Sequence, residues 1–276
     1  MSATDALLDL VLLILVALVP ALIYLIWVRS TERYQTSSWG KILGAFVYGA
    51  FFATIVAAIL EAVIVELGTS VSTHYTGPEF LFLNGNSTLG AFFLVLVVAP
   101  FVEEALKASG VYAYRDQIRN VADGPVFGAS VGLGFGFFET FLYGLSAYLV
   151  GGLEAGIALI LVRSLSSVLL HGSSTGMFGY GYARSRTGVP GAGTGSYYLL
   201  AVAMHASFNA IASLATILAI FGISGLTLSL AGLLALLAAI TFAFTAIEHV
   251  RHVIAVSEYP ALLPGGATRR PPASRR

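Results

Sequence analysis

Seven ionisable side chains interrupt stretches of this chain that are otherwise apolar enough to cross a membrane. They are Glu103, Glu104, Lys107, Glu139, Arg163, His171 and His205. Each ionised group left unpaired at the centre of a bilayer costs roughly 2.5–3.5 kcal/mol, so these side chains must pair with one another or with a metal ion. A cluster of carboxylates and imidazoles in a dry interior is a candidate for catalytic chemistry.

The residue types favour hydrolysis assisted by a metal ion. Two imidazoles and one carboxylate suit tetrahedral zinc with an open fourth position, and a second carboxylate can take a proton from the bound water. Because the chain has no cysteine, thiolate ligands and a cysteine nucleophile are excluded. The charges permit a metal without requiring one, since three glutamates against Lys107 and Arg163 leave one net negative charge. Serines lie near His171 but have no motif of their own, so a serine nucleophile is the weaker option.

The elements that hold these residues are predicted to be membrane-spanning helices. The chain has 276 residues, of which 57% are hydrophobic and 10% charged, a composition typical of a polytopic helical membrane protein. Apolar runs of about 20 residues predict an all-α fold of about seven transmembrane helices. The predicted spans are Ala6–Val28, Ile42–Leu67, Leu89–Tyr112, Val126–Val150, Leu153–Ala183, Tyr197–Phe221 and Leu226–Val250. We expect a multi-pass protein of the plasma membrane, surrounded by the lipid bilayer and without a nucleic-acid partner.

The positions of the basic residues predict the orientation of the chain. With the N-terminus outside and the C-terminus cytoplasmic, all of the 14 lysines and arginines except two fall on the cytoplasmic side, and none lies in an external loop. The two exceptions are Lys107 and Arg163, which lie within spans. We predict a single transmembrane domain over residues 1–262, with a motif-bearing core at 89–221. Residues 263–276 are predicted to form a disordered, basic cytoplasmic tail.

Polar residues recur at helical spacing on consecutive spans. The fifth span has a polar residue at every fourth position from Arg163 to Thr175, and on the sixth span His205 and Asn209 are four residues apart. At about 1.5 Å per residue, Glu104 and both histidines lie roughly 12–20 Å from the cytoplasmic ends of their helices. The sequence therefore predicts one site near mid-membrane, on the cytoplasmic side.

Four short motifs occur in order on successive spans. They are Glu103-Glu104-x-x-Lys107, Phe135-x-x-x-Glu139, His171-x-x-x-Thr175 and His205-x-x-x-Asn209. In these motifs the chain resembles the PrsW-type intramembrane metalloproteases, a family related to the CAAX-processing (Abi) proteases and to the APH subunit of gamma-secretase. The resemblance covers about residues 89–212. Glu139 stands where the CAAX branch has histidine, which argues against a prenylated substrate.

The resemblance implies an active site and an activity. The implied site residues are Glu103, Glu104, Glu139, His171, His205 and Asn209. We expect His171, His205 and Glu139 to hold a zinc ion. One of the two glutamates of the first motif then acts as the general base, and Asn209 donates a hydrogen bond to the developing oxyanion. The implied activity is that of a zinc-dependent endopeptidase, and we expect its membrane-tethered peptide or protein substrate to enter from the cytoplasmic half.

Other charged residues in the spans have structural interpretations. We expect Lys107 to neutralise Glu103 across one helical turn and Arg163 to act as an ion-pair partner within the bundle. Glu61 and Glu66, near the outer end of the second span, are interpreted as packing and interface residues.

Two functions of other classes use the same residues. A non-catalytic membrane scaffold of the APH-like kind would use the polar cluster only to hold helices together. A transporter or proton relay would use it to line an ion path. Transporters usually consist of paired halves with broken helices, and the sequence shows no such repeat. Bound zinc that is lost when both histidines are replaced would favour the peptidase over these alternatives.

Overall fold

The structure is a computed structural model that describes residues 3–33, 36–75 and 82–258. Within these residues the regular structure is helical, which confirms the predicted all-α class. The long helices are α1 (Ala3–Arg29), α2 (Trp39–His74), α3 (Thr88–Ala113), α4 (Asp123–Ser164), α5 (Ser167–Thr187), α6 (Thr194–Ala212) and α8 (Gly225–Glu258). A short helix, α7 (Leu214–Ile220), lies between α6 and α8. The predicted tail at 263–276 lies outside the described residues.

Five helical stretches among the described residues are long and apolar enough to cross a membrane, or six if the bent pair α6 and α7 counts as one span. One of them, the 65-residue stretch Asp123–Thr187, would extend about 98 Å as a straight helix, roughly three times the apolar thickness of a bilayer. The chain instead reverses at Gly152, whose φ of 79° favours glycine. This reversal lies between the fourth and fifth predicted spans. The count of seven spans and the orientation stay predictions.

The two arms on either side of this reversal pack against each other through glycines of α4. A Cβ atom on Gly128 would meet the Thr175 carbonyl, and one on Gly132 would meet the His171 carbonyl. The later residue of α4, Gly132, contacts the earlier residue of α5, His171, so the two arms are antiparallel. Glycines on this face of α4 therefore let the backbone around His171 lie directly against α4.

Adding one methyl group at Gly132 tests how closely α4 and α5 must approach. The substitution Gly132→Ala should lower the free energy of unfolding by about 1–3 kcal/mol, because the new Cβ would overlap the His171 carbonyl and push α5 away. Gly232→Ala is the matched control, since a Cβ there has only an ordinary contact, at 3.5 Å from Ala215. Thermal unfolding in detergent measures both variants. A Gly132→Ala protein as stable as wild type would contradict the close packing.

Helices α1 and α8 complete the apolar core of the bundle. Their buried residues include Leu13, Ala17, Ala21 and Leu25 of α1, and Ile247, Val250 and Ile254 of α8. The spacing of four residues in α1 gives one continuous buried stripe. Neither helix contributes a residue to the polar cavity described below.

The connections that carry basic residues meet at one end of the bundle, which we call the basic end. Nε of Arg251, in α8, donates to the Thr31 hydroxyl at 3.1 Å, which joins α8 to the connection after α1. Arg186, in the last turn of α5, lies 3.4 Å from Asp116 in the connection between α3 and α4. These contacts join segments that the sequence predicts to be cytoplasmic.

Candidate active site

A change of helical register in α3 precedes the first motif. Residues Leu94–Val98 form a π-helical turn, in which each amide donates to the carbonyl five residues earlier. In this register the Val95 carbonyl would require the amide of Pro100, which has no N–H group. The Asn209 side chain fills the position, with Nδ2 2.8 Å from the Val95 carbonyl oxygen. Because Pro100 cannot donate to it, the Val95 carbonyl is free to accept the hydrogen bond from Asn209 that joins α6 to α3.

Lys107 lies in a buried cluster of polar groups and is itself fully buried. Its Nζ is 2.7 Å from Glu104 Oε1 and 3.6 Å from Glu103 Oε2, so it forms ion pairs with both glutamates of its motif. The same Nζ is 2.9 Å from His171 Nδ1 and 4.5 Å from the centre of the Phe135 ring. The Lys107 ammonium therefore occupies the space between the carboxylates of α3 and the histidine of α5.

Each of the two histidines is oriented by a carboxylate. His205 Nδ1 lies 3.1 Å from Glu104 Oε1, and His171 Nε2 lies 2.8 Å from Glu139 Oε2. The two rings are 4.9 Å apart and nearly perpendicular. We assign the ring N–H groups to these contacts, which leaves the other nitrogen of each ring unprotonated. Histidine ligands of metal ions are held in this way by carboxylates.

Glu104 is surrounded by hydrogen-bond donors. Besides Lys107 and His205, it accepts from the Ser174 hydroxyl at 2.9 Å and from the Thr175 hydroxyl at 3.4 Å. Only 2% of its surface is exposed. The carboxylate is therefore fixed by contacts with four side chains.

Glu103 is the glutamate that faces a gap in the cluster. Its Oε2 is buried and has no hydrogen-bond partner among the described residues. This atom lies 3.9 Å from His171 Nδ1 and 3.9 Å from His205 Nε2, the two nitrogens left unprotonated. One ligand atom from each of the three residues lies within 4.8 Å of the others. A carboxylate oxygen between two imidazole nitrogens is a donor set that fits a zinc ion, provided that the Lys107 ammonium, 2.9 Å from His171 Nδ1, moves away from that nitrogen.

Glu139 forms the adjoining part of the site. Its Oε2 accepts from Arg163 Nη2 at 2.7 Å as well as from His171, and Arg163 also donates to the Ser167 hydroxyl at 2.9 Å. The guanidinium lies 4.0 Å from the centre of the Tyr143 ring. The predicted role of Arg163 as an ion-pair partner is confirmed.

A cavity of about 390 Å³ lies beside this cluster. Five of the six predicted site residues line it, namely Glu103, Glu139, His171, His205 and Asn209. Glu104 does not line the cavity and is buried behind the residues that do. The predicted metal set contained Glu139 with the two histidines, whereas the compact group in the structure contains Glu103 with them.

The cavity extends away from the basic end. Glu103 lies about 18 Å from Arg115, which is at the basic end just after α3. Two other residues of the cavity wall lie farther from the basic end. Glu61 is about 33 Å from the start of α2, and Thr216 is about 33 Å from the start of α6. The α6–α7 bend of 53° occurs at Ser213, which also lines the cavity. The open space therefore lies on the opposite side of the cluster from the cytoplasmic half in which we expected the substrate to enter.

Some polar residues at the site were not predicted to belong to it. Glu61 and Tyr143 line the cavity, and Ser174 holds Glu104 from behind. Glu61, interpreted above as a packing or interface residue, could have been found by the same criterion as the other glutamates, because it is a carboxylate in an apolar span. No sequence signal singles out Ser174, since serine is common in membrane helices.

The fold and the site together define a helical membrane protein with buried carboxylates and imidazoles beside a cavity, an arrangement suited to metal-assisted hydrolysis in a membrane. The chain belongs to the PrsW family of intramembrane metalloproteases, whose family profile matches residues 37–248. This range includes every residue of the cavity wall. The predicted relationship to the CAAX-processing proteases and to APH is not tested by this match.

Two curated relatives are similar to the chain over 148 residues. Protease PrsW of Shouchella clausii (strain KSM-K16) is 32% identical, over 52% of this chain and 58% of the relative. Protease PrsW of Clostridioides difficile (strain 630) is 28% identical, over 52% of this chain and 56% of the relative. The chain thus matches somewhat more than half the length of each relative. No solved structure matches the chain.

Proposed function

We propose that this protein is an intramembrane zinc-dependent endopeptidase that cleaves a membrane-tethered peptide or protein. The observation that carries the proposal is the buried Glu103 Oε2, which has no hydrogen bond within residues 3–33, 36–75 and 82–258 and lies 3.9 Å from one nitrogen of His171 and one of His205. Membership in a metalloprotease family supports the same activity.

Glu103, His171 and His205 are the residues that would hold the ion. A bound zinc ion supplies a Lewis acid and lowers the pKa of a water molecule to about 7. Glu104 and Glu139 each accept an N–H from one histidine and keep its other nitrogen directed at Glu103. In this proposal Glu139 is a positioning group and not the third ligand predicted from the sequence.

Glu139 also takes the role of general base in this proposal. It lines the cavity, whereas Glu104 does not, and its contacts with Arg163 and His171 both fall on Oε2. Its Oε1 is therefore the atom assigned to accept the proton of the attacking water. Asn209 has two amide N–H groups and gives one to Val95, so the second is assigned to the oxyanion of the substrate.

The cavity limits the conformation and the access route of the substrate. A helix satisfies its own backbone groups and hides its carbonyls, so the segment that is cut must be unwound. The cavity lies between the cluster and the end opposite the basic end. With the predicted orientation, which we retain as part of the proposal, the substrate enters from the external half. The hairpin at Gly152 supports counting Asp123–Thr187 as two of seven spans.

A cavity beside the cluster favours catalysis over a scaffold. A scaffold needs only the hydrogen bonds between helices, and those bonds require no open space. The described residues leave about 390 Å³ next to Glu103 and both histidines. A volume of this size lies within the range of pockets that bind small molecules.

Cleavage of a tethered test substrate in liposomes examines the proposal. We expect cleavage by the wild-type protein, loss of cleavage after treatment with a zinc chelator, and recovery when zinc is added back but not when magnesium is added. Magnesium is the matched control because it prefers oxygen ligands, and this group has two nitrogens. Full cleavage after complete removal of metal would show that the proposed chemistry is wrong.

A further inference from the structure

A second cavity, of about 290 Å³, lies at the basic end and is separate from the Glu/His cluster. Its wall includes Arg29 at the end of α1, Ser38 and Trp39 at the start of α2, and Arg119 before α4. Two connections, with arginines about 90 residues apart in the sequence, thus place two guanidinium groups around one space. The proposed peptidase chemistry uses neither arginine.

Arg29 is held in place but retains an unused donor. Its Nη2 donates to the Ser37 carbonyl at 3.0 Å, and the guanidinium lies 5.0 Å from the centre of the Trp39 ring. Its Nε is buried and has no hydrogen-bond partner among the described residues. An unsatisfied buried donor on a fixed cation indicates that an acceptor belongs at this position.

The acidic groups near the cavity are directed toward their own connections. The Glu32 carboxylate accepts from the Ser37 amide and from its hydroxyl, each at 2.8 Å. The Asp123 carboxylate accepts from the Arg119 and Asn120 amides at 2.7 Å and 3.2 Å and lies 3.6 Å from Arg119 Nε. These contacts leave the terminal amino groups of Arg119, whose side chain is 60% exposed, available to an anion.

The start of α2 adds further donors to the same cavity. The first amides of a helix have no intrahelical partner, and the N-terminus of a 36-residue helix favours negative charge. Ser38, the N-cap residue, makes no side-chain hydrogen bond to the helix, so its hydroxyl is not used in capping. Trp39 is 41% exposed at the level where spans end, a position typical of the membrane interface.

We propose that this cavity binds a phosphate group, as carried by an anionic phospholipid headgroup or by inorganic phosphate. Two arginines, the Ser38 hydroxyl and the first amides of α2 are the donors that recognise its oxygens. The bound group ties the ends of α1 and α2 to the connection before α4. Occupancy therefore stabilises the folded protein without taking part in cleavage.

Thermal unfolding of the full chain in a neutral detergent tests this site. Short-chain phosphatidic acid should raise the unfolding temperature in a saturable manner, whereas short-chain phosphatidylcholine at the same concentration should not. Arg119→Gln and Arg29→Gln should each weaken the apparent affinity by about tenfold or more, since each removes charge-assisted hydrogen bonds. Arg115→Gln is the matched control, because it removes the same charge at the same end and Arg115 does not line the cavity.

The outcomes distinguish the sources of the phosphate and the alternatives to it. If inorganic phosphate reproduces the shift with the same dependence on Arg119, free phosphate is the ligand; a shift with the lipid alone identifies the headgroup. If Arg29→Gln does not fold, the Arg119→Gln variant alone decides the test, because the Arg119 side chain is exposed and its replacement should not disturb folding. An unchanged response in Arg119→Gln, or an equal loss in Arg115→Gln, would overturn the proposal.

Discussion

Replacing Glu103 with glutamine is expected to abolish metal binding and cleavage while leaving the protein folded. Glu103 Oε2 makes no hydrogen bond among the described residues, so the isosteric amide removes a charge but no such bond at that atom. Loss of an outer-shell partner typically costs 10–100-fold in metal affinity or activity, and loss of a ligand should cost more than about 100-fold. Metal content and the cleavage rate in liposomes measure the effect.

Glu104→Gln is the matched control, since it is the same change at the adjacent residue. Here the loss should be chiefly in stability, by about 3–5 kcal/mol, because Lys107 would lose the buried partner at 2.7 Å. Activity should fall less than in Glu103→Gln, through poorer orientation of His205. If Glu104→Gln lost the metal and Glu103→Gln retained both metal and cleavage, the assignment of Glu103 as a ligand would be wrong.

The second large effect is expected for the two histidines, and it should be non-additive. If His171 and His205 hold one ion, each single alanine substitution leaves an incomplete set of ligands. Each single variant should then lose metal and cleavage about as fully as the double variant does. If the histidines were independent hydrogen bonds between helices, each loss would cost about 0.6 kcal/mol of stability and the two losses would add.

His249→Ala and His252→Ala provide controls for this pair. Both residues lie on α8, which contributes nothing to the cavity, and their rings are 6.4 Å apart. We expect both control variants to keep wild-type metal content and rate. Small, additive stability losses in the His171 and His205 variants, with metal unaffected, would support a scaffold instead.

The sequence predicted which residues meet but not which of the two adjacent glutamates faces the cavity. Spacing along the helices gives depth, and Glu103, His171 and His205 do meet at one depth. Roles depend on rotation about the helix axis. Glu103 and Glu104 are adjacent and point in directions about 100° apart, so one faces the cavity and the other is enclosed by α5 and α6.

The direction in which the cavity opens could not be predicted from helical spacing either. It depends on the π-helical turn at Leu94–Val98 and on the bend at Ser213, which are irregularities of two helices. A proline such as Pro100 loosens a helix, but the compensating bond from Asn209 to Val95 requires the packing of α6 on α3. The reversal at Gly152 was easier to predict, because a Gly-Gly pair separates the two apolar runs.

The measurement that tests the central claim most directly is the zinc content of the purified protein. For wild-type protein we predict about one zinc ion per chain, and for Glu103→Gln, His171→Ala and His205→Ala we predict close to none. The His249→Ala protein should retain the wild-type content. Wild-type protein that cleaves a tethered substrate at full rate without bound metal, or three site variants that retain zinc, would contradict the assignment of Glu103, His171 and His205 as the metal site.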